Sequence, residues 1–189
     1  MTVFQDIRKG IMPARLTVDQ VYDLTAAGVF AKDDHFELIE GEIVPMAAAK
    51  ADWHSIMVSR LTRGLVPALR GDARLFIEAS VSLSPDVLVE PDLAVWDKSI
   101  RPRAVRGPEL LLVIEVSDSS LGYDLRVKAP LYARHGIRDY WVVDAVRQTI
   151  RVHRLPGASG YGSVEEYEAH DPVTPALLPD VAVTLDALD

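Results

Sequence analysis

Leu110-Leu111-Leu112-Val113-Ile114-Glu115-Val116-Ser117 is an apolar run broken by one carboxylate; Tyr123 to His135 follows, closed by Gly136, and then Tyr140-Trp141-Val142-Val143 forms a second apolar run. Short apolar runs rich in β-branched and aromatic residues are what buried sheet strands show. The segment between them has the length of a helix, and a glycine after its last turn is a common helix stop. Strand, helix, strand normally makes a crossover between parallel strands. The stretch therefore predicts a parallel pair inside a mixed α/β sheet.

Working toward the N-terminus, Leu93 to Trp96 reads as another short strand and Leu75 to Leu83 as a longer, partly alternating one. From Asp52 to Leu69, Trp53, Ile56, Met57, Leu61, Leu65 and Leu69 recur at helical spacing, with Pro67 a candidate kink or end. Phe36 to Val44 holds two short apolar runs around Glu40-Gly41, the pattern of a β-hairpin. Thr17 and Gln20 have capping-box spacing ahead of Val18, Val21 and Leu24, which predicts a first helix ending at Gly28. Toward the C-terminus, Thr149 to Leu155 is expected to pair back on Tyr140 to Val143, and Val181 to Leu185 to form an edge strand after a proline-marked tail. With no low-complexity linker in the sequence, residues 1–189 read as a single domain.

Composition narrows the function classes. The chain has no cysteine, so disulfide frameworks, thiol nucleophiles and thiolate zinc sites are excluded. No apolar run approaches the roughly 20 residues of a membrane span. Met1 to Gly10 lacks the apolar core of a signal peptide, so the cytoplasm is the expected location. A net charge of -8 argues against coating nucleic acid by bulk electrostatics, although it leaves room for a local, cation-assisted grip. Arg60, Arg63 and Arg70, and then Arg101, Arg103 and Arg106, are the basic groups available for one; solvated faces and loops are the plainer reading of both.

Glu115 is the residue that asks for an explanation. An ionised carboxylate in so apolar a strand is costly unless it is paired or bound to metal. With a side-chain period of two, it shares a face with Val113 and Leu111, opposite Ile114 and Val116. Asp92 follows Pro91 at the start of its strand, where the ladder frays, although Pro-Asp is also an ordinary turn dipeptide. Lys128, one of five lysines against fifteen arginines, lies just past the Glu115 strand. Asp124, Lys128 and Tyr132 are spaced by four, which permits an Asp124–Lys128 pair on one helix face, while Pro130 would disturb that helix. Two carboxylates and an ammonium are the groups that metal-assisted phosphodiester cleavage requires. Glu37, Glu40 and Glu42 crowd the hairpin, and His54 falls on the second helix with Val58, Leu61 and Leu65; solvent-facing glutamates and a structural histidine are the plainer readings of these.

Taken jointly, Phe36 to Glu42, His54, Pro91-Asp92, Ile114-Glu115-Val116-Ser117, Asp124 with Lys128 and Tyr132, and Gly136 to Asp144 resemble the Uma-two family of restriction-endonuclease-like proteins, within the PD-(D/E)XK nuclease superfamily. The similarity runs from about the first helix to the final strand. It implies a restriction-endonuclease-like mixed sheet flanked by helices, preceded by a helix and a hairpin. It also implies Asp92 and Glu115 as metal ligands, with the Val116 carbonyl as a third. The lysine usual two residues after the glutamate is Ser117 here; the resemblance implies that Lys128 supplies the ammonium from the following helix. Glu37 and His54 match family positions near the site. Pro130, and Asp118 where a proline is more typical, depart from the pattern.

The leading expectation is a Mg²⁺-dependent endonuclease acting on DNA, with Mn²⁺ as a substitute metal. A nuclease-fold interaction or regulatory module without catalysis is the alternative, which the acidic charge suits, and RNA is a third substrate reading. Exposed strands and the Trp141 region suggest a homodimer.

Overall fold

A computed structural model describes residues 15–30, 34–46 and 51–188. The Met1 to Gly10 segment lies outside the described residues. The elements are α1 (Val18–Ala26), β1 (Phe36–Ile39), β2 (Glu42–Pro45), α2 (Asp52–Ala68), β3 (Ala73–Ile77), β4 (Val81–Ser84), β5 (Val87–Val89), β6 (Leu93–Asp97) and β7 (Leu112–Ser117). A composite helix, α3 (residues 121–134), then leads to β8 (Asp139–Asp144), β9 (Thr149–Gly157) and β10 (Gly160–Tyr167). The fold is mixed α/β, with two sheets flanked by helices.

The larger sheet has six strands in the order β10-β9-β8-β7-β6-β3. Its β7–β8 pair is parallel, with Glu115 opposite Val142, and α3 makes the crossover between them. The neighbouring pairs β6–β7 and β8–β9 are antiparallel. One face buries Leu112, Ile114 and Val116 against Met57, Leu61 and Leu65 of α2; the other buries Val113 and Tyr140 against Leu131 and Tyr132 of α3. Glu115 therefore emerges on the α3 face, as the strand alternation requires.

The smaller sheet, in the order β2-β1-β5-β4, packs Leu38, Ile43 and Leu88 against Val18 and Val21 of α1. Both halves of the Thr17/Gln20 capping box form. The β1–β2 hairpin turns through Glu40 and Gly41 at φ 51° and 82°, the left-handed pair that a two-residue hairpin needs.

Several expectations are corrected. Leu75 to Leu83 is not one strand: the chain breaks at Glu78, at φ 49°, and β3 and β4 belong to different sheets. β5 and β10 fall outside the strands expected from sequence, β5 because three residues give almost no period to read. Val181 to Leu185 makes only the bridge Val173–Val183, although Val181, Val183 and Leu185 are buried. Pro67 sits in the last turn of α2 without ending it early. Trp53 and Ile56 lie on the outer side of α2, and His54 joins its buried stripe. Trp141 is fully buried, its indole N–H donating to Asp139, so it offers no surface to a second copy.

Candidate active site

Five elements, β1, α2, β6, β7 and α3, converge at the end of the large sheet where β6 and β7 separate. Leu93 pairs with Ile114, and beyond that register the strands no longer bond to each other. Asp92 occupies the gap: its Oδ2 accepts the Val116 backbone N–H at 2.8 Å, and its Oδ1 meets His54 Nε2 at 2.9 Å. A carboxylate thus continues the ladder where Pro91 precedes the strand, and it ties the start of α2 to the sheet.

Glu115 is 3% exposed. Its Oε1 accepts from Lys128 Nζ at 2.9 Å and from the Tyr132 hydroxyl at 2.7 Å. Lys128 also lies 3.1 Å from Glu37 Oε1, which accepts the Glu90 backbone N–H. One ammonium is therefore shared by two buried carboxylates. Burial pushes Lys128 down, but Glu115 and Glu37 outweigh it and hold the ammonium well above the usual lysine range. Lys128 is accordingly a fixed cation and a hydrogen-bond donor, not a base. Burial pushes Glu115 up against the pull of Lys128, and Asp92, Asp124 and Glu37 add to the rise. Tyr132, raised by burial and then by Glu115, stays a protonated donor.

The reach of Lys128 depends on the form of α3. The helix begins as a short α-turn (Leu121–Tyr123), widens into a π-helical turn (Asp124–Lys128), and returns to α-geometry (Ala129–Arg134). Pro130 has no N–H for the carbonyl four residues back, and its ring would strike that carbonyl; the widened turn directly before it accommodates both. The anticipated disruption is therefore a local π-turn that leaves Lys128 and Tyr132 aimed together at Glu115. Asp124 does not use the anticipated lysine partner: it accepts from the Ser117 and Ser120 hydroxyls, each at 2.7 Å. Ser117, at the position where a lysine is usual, fastens the helix that carries the lysine.

These groups line a pocket of about 330 Å³. Of the residues singled out in the sequence, Asp92, Glu115, Val116, Lys128, Glu37 and His54 all reach it, whereas Glu40 and Glu42 do not line it. Tyr123 and Glu90 also line it, and neither carried a signal in the sequence. Tyr132 supports it from behind and was legible only as a spacing of four from Lys128.

The donor chemistry can be compared with that of a hard divalent cation. Glu37, Glu90, Asp92, Glu115, Asp118 and Asp124 all line the pocket, with Lys128 as the lysine among them. Such an excess of carboxylate favours a cation and repels a phosphate that arrives without one. Both donors to Glu115 fall on Oε1, which leaves Oε2 for a metal. The N–H and C=O of an extended residue point to the same edge, so the Val116 carbonyl is directed to the side that Asp92 occupies. His54 Nδ1 and the Tyr123 hydroxyl are buried at the site without a hydrogen-bond partner among the described residues. Among the described residues no three His, Cys, Asp or Glu side chains form a ready metal cage. A few oxygen donors with room for water fit Mg²⁺ and not a structural zinc.

Comparison with known proteins agrees with this architecture. Among solved structures, a protein from Anabaena variabilis ATCC 29413, described as a putative nuclease belonging to DUF820, matches with a TM-score of 0.71 at 20% identity, covering 90% of this chain and 96% of that one. No curated protein matches the chain. The family model described as "Uma2: Putative restriction endonuclease" matches residues 18–186, which takes in every element from α1 to β10. The chain belongs to the Uma2 family.

Proposed function

We propose that this protein is a Mg²⁺-dependent endonuclease that hydrolyses phosphodiester bonds in DNA, with Mn²⁺ as a substitute metal. The carrying observation is the convergence of Asp92, Glu115 and Lys128 in one pocket, one carboxylate just ahead of β6, the other on the neighbouring β7, and the ammonium 2.9 Å from the second. Asp92, Glu115 and the Val116 carbonyl would hold the metal. When bound, it would polarise a phosphoryl oxygen and lower the pKa of an attacking water.

The remaining work falls to the chain itself. Lys128, held charged by Glu37 and Glu115, places a positive group where negative charge accumulates on the phosphorane oxygens. Tyr132 and Lys128 fix the Glu115 carboxylate in one rotamer, so no reorganisation is needed as substrate enters. His54 orients Asp92 through Oδ1 and presents Nδ1 as the one ring nitrogen left for a water or a substrate oxygen. Glu37 positions Lys128. The family's description as a restriction endonuclease supports DNA over RNA. All three reactive groups are present and oriented, which favours catalysis over an interaction module of the same fold.

The test pairs cleavage with metal binding. At least one of supercoiled, linear and single-stranded DNA should be cut in Mg²⁺, and Asp92→Asn should abolish both cutting and the calorimetric Mg²⁺ signal. Cutting that survives Asp92→Asn would refute the proposal.

A further inference from the structure

The outer face of α2 is not used by the site described above. Trp53 is 54% exposed and Ile56 42%. At helical spacing they fall on one stripe with Arg60 and Arg63. Ser55, Ile56, Ser59, Arg60 and Arg63 line a groove along this face. Guanidiniums and hydroxyls on one groove are the donors that hold phosphodiester oxygens. An exposed indole beside them is a stacking platform for a base. Within α2 only Asp52 is acidic, so this stripe is locally positive on a chain of net charge -8.

The stripe leads toward the active site at its N-terminal end, where Ala51, just ahead of α2, and His54, in its first turn, line the pocket. Arg63 lies nine residues beyond His54, roughly 14 Å along the helix axis. The pocket keeps its charged groups well below the surface. Glu115 and Lys128 are 3% and 5% exposed, in a cavity of about 330 Å³ walled on one side by Val44, Pro45, Met46 and Tyr123. A duplex, with a major groove alone about 12 Å wide, is too stiff and broad to follow its phosphate inside. An unpaired strand can turn one nucleotide inward and lay its base on the apolar wall without first being unstacked.

We propose that the preferred substrate is unpaired DNA, its backbone held by Arg60 and Arg63 along α2, one base stacked on Trp53 and the next nucleotide turned into the pocket. This deepens the endonuclease reading and rests on it. The experiment separates the two by measuring binding and not cutting, with Ca²⁺ in place of Mg²⁺ so that a divalent cation balances the pocket carboxylates. Fluorescence anisotropy in Ca²⁺ compares a labelled 20-nucleotide DNA strand, the same sequence as a duplex, and the corresponding RNA. The DNA strand should bind about tenfold or more tighter than the duplex. Trp53→Ala should weaken strand binding by roughly 5- to 150-fold, with Trp53→Phe retaining most of it. The double variant Arg60→Gln, Arg63→Gln should lower the log–log salt slope by about 1.4. Equal or tighter duplex binding, tighter RNA binding, or no effect of Trp53→Ala would each overturn the inference. Strand binding as expected, with no cutting of any DNA in Mg²⁺, supports strand recognition and refutes the endonuclease reading. Cutting of duplex at the same rate as the strand supports catalysis and overturns the strand preference.

Discussion

Sharing one ammonium between two buried carboxylates makes the order of mutational costs predictable. Lys128 Nζ lies 3.1 Å from Glu37 Oε1 and 2.9 Å from Glu115 Oε1. At an effective dielectric of about 20, each pairing is worth roughly 5 kcal/mol of gross attraction, against a desolvation cost of several kcal/mol per ion. Glu37→Gln removes one charge but keeps the oxygen that accepts from Glu90 N–H. It leaves Lys128 paired with Glu115 and relieves the repulsion between the two glutamates. Its net cost should be about 1–2 kcal/mol. Lys128→Met leaves two buried carboxylates without their cation and should cost about 3–5 kcal/mol. The double variant should cost less than the two single costs together, because the second change removes a charge that the first left stranded.

Urea unfolding followed by circular dichroism, without metal, measures all three. The Lys128→Met deficit should also shrink on acidification: burial already raises the Glu115 carboxyl, and protonation neutralises what the variant leaves unpaired. The reasoning is refuted if Glu37→Gln costs as much as Lys128→Met, or if Lys128→Met costs under about 1 kcal/mol, the value of a solvated surface pair.

Tyr132→Phe removes the 2.7 Å bond to Glu115 while keeping the ring against Tyr140, and should cost about 1.5–3 kcal/mol in the same unfolding assay, the range for hydrogen bonds to charged groups. Gly107→Ala would set a Cβ 1.9 Å from the His135 backbone oxygen, and because neither partner is a flexible side chain it should destabilise by about 3 kcal/mol or more, visible as a lower Tm in calorimetry. Burial holds His153 below its ordinary pKa, so the unfolded chain takes up its proton first as pH falls; this residue's contribution to stability is present above about pH 6.5 and lost below it, and His153→Phe should flatten the wild-type stability curve between pH 7 and 5.

Much of the fold was legible because its signals are local. The capping box at Thr17, the turn at Glu40-Gly41 and the two apolar runs around α3 each specify a conformation within a few residues. Glu115 announced itself by its cost in an apolar strand. The rest depends on partners far along the chain. Apart from the family resemblance, Glu37 reads as one of three hairpin glutamates, and the packing of β1 against β5 and α3 is what separates it from Glu40 and Glu42. His54 looks like a polar break in an apolar helix face until Asp92 is placed opposite it. Trp53 and Ile56 misled in the other direction: an apolar residue at helical spacing predicts burial, and here that spacing marks the outer stripe. Glu78 gave no warning of the left-handed backbone that splits β3 from β4.

The π-turn in α3 has a consequence for what this segment tolerates. A π-turn is an α-helix carrying one additional residue. Arg126 and Val127 within it face outward, so many side chains should serve there. Their number is another matter. Deleting either would let the turn relax to α-geometry and rotate everything before or after it by about 100°, swinging Lys128 off Glu115 or tearing Asp124 from Ser117. The position of the buried ammonium is thus specified by a count of residues between two anchors, and an insertion or deletion there should be more damaging than any substitution at the same two positions.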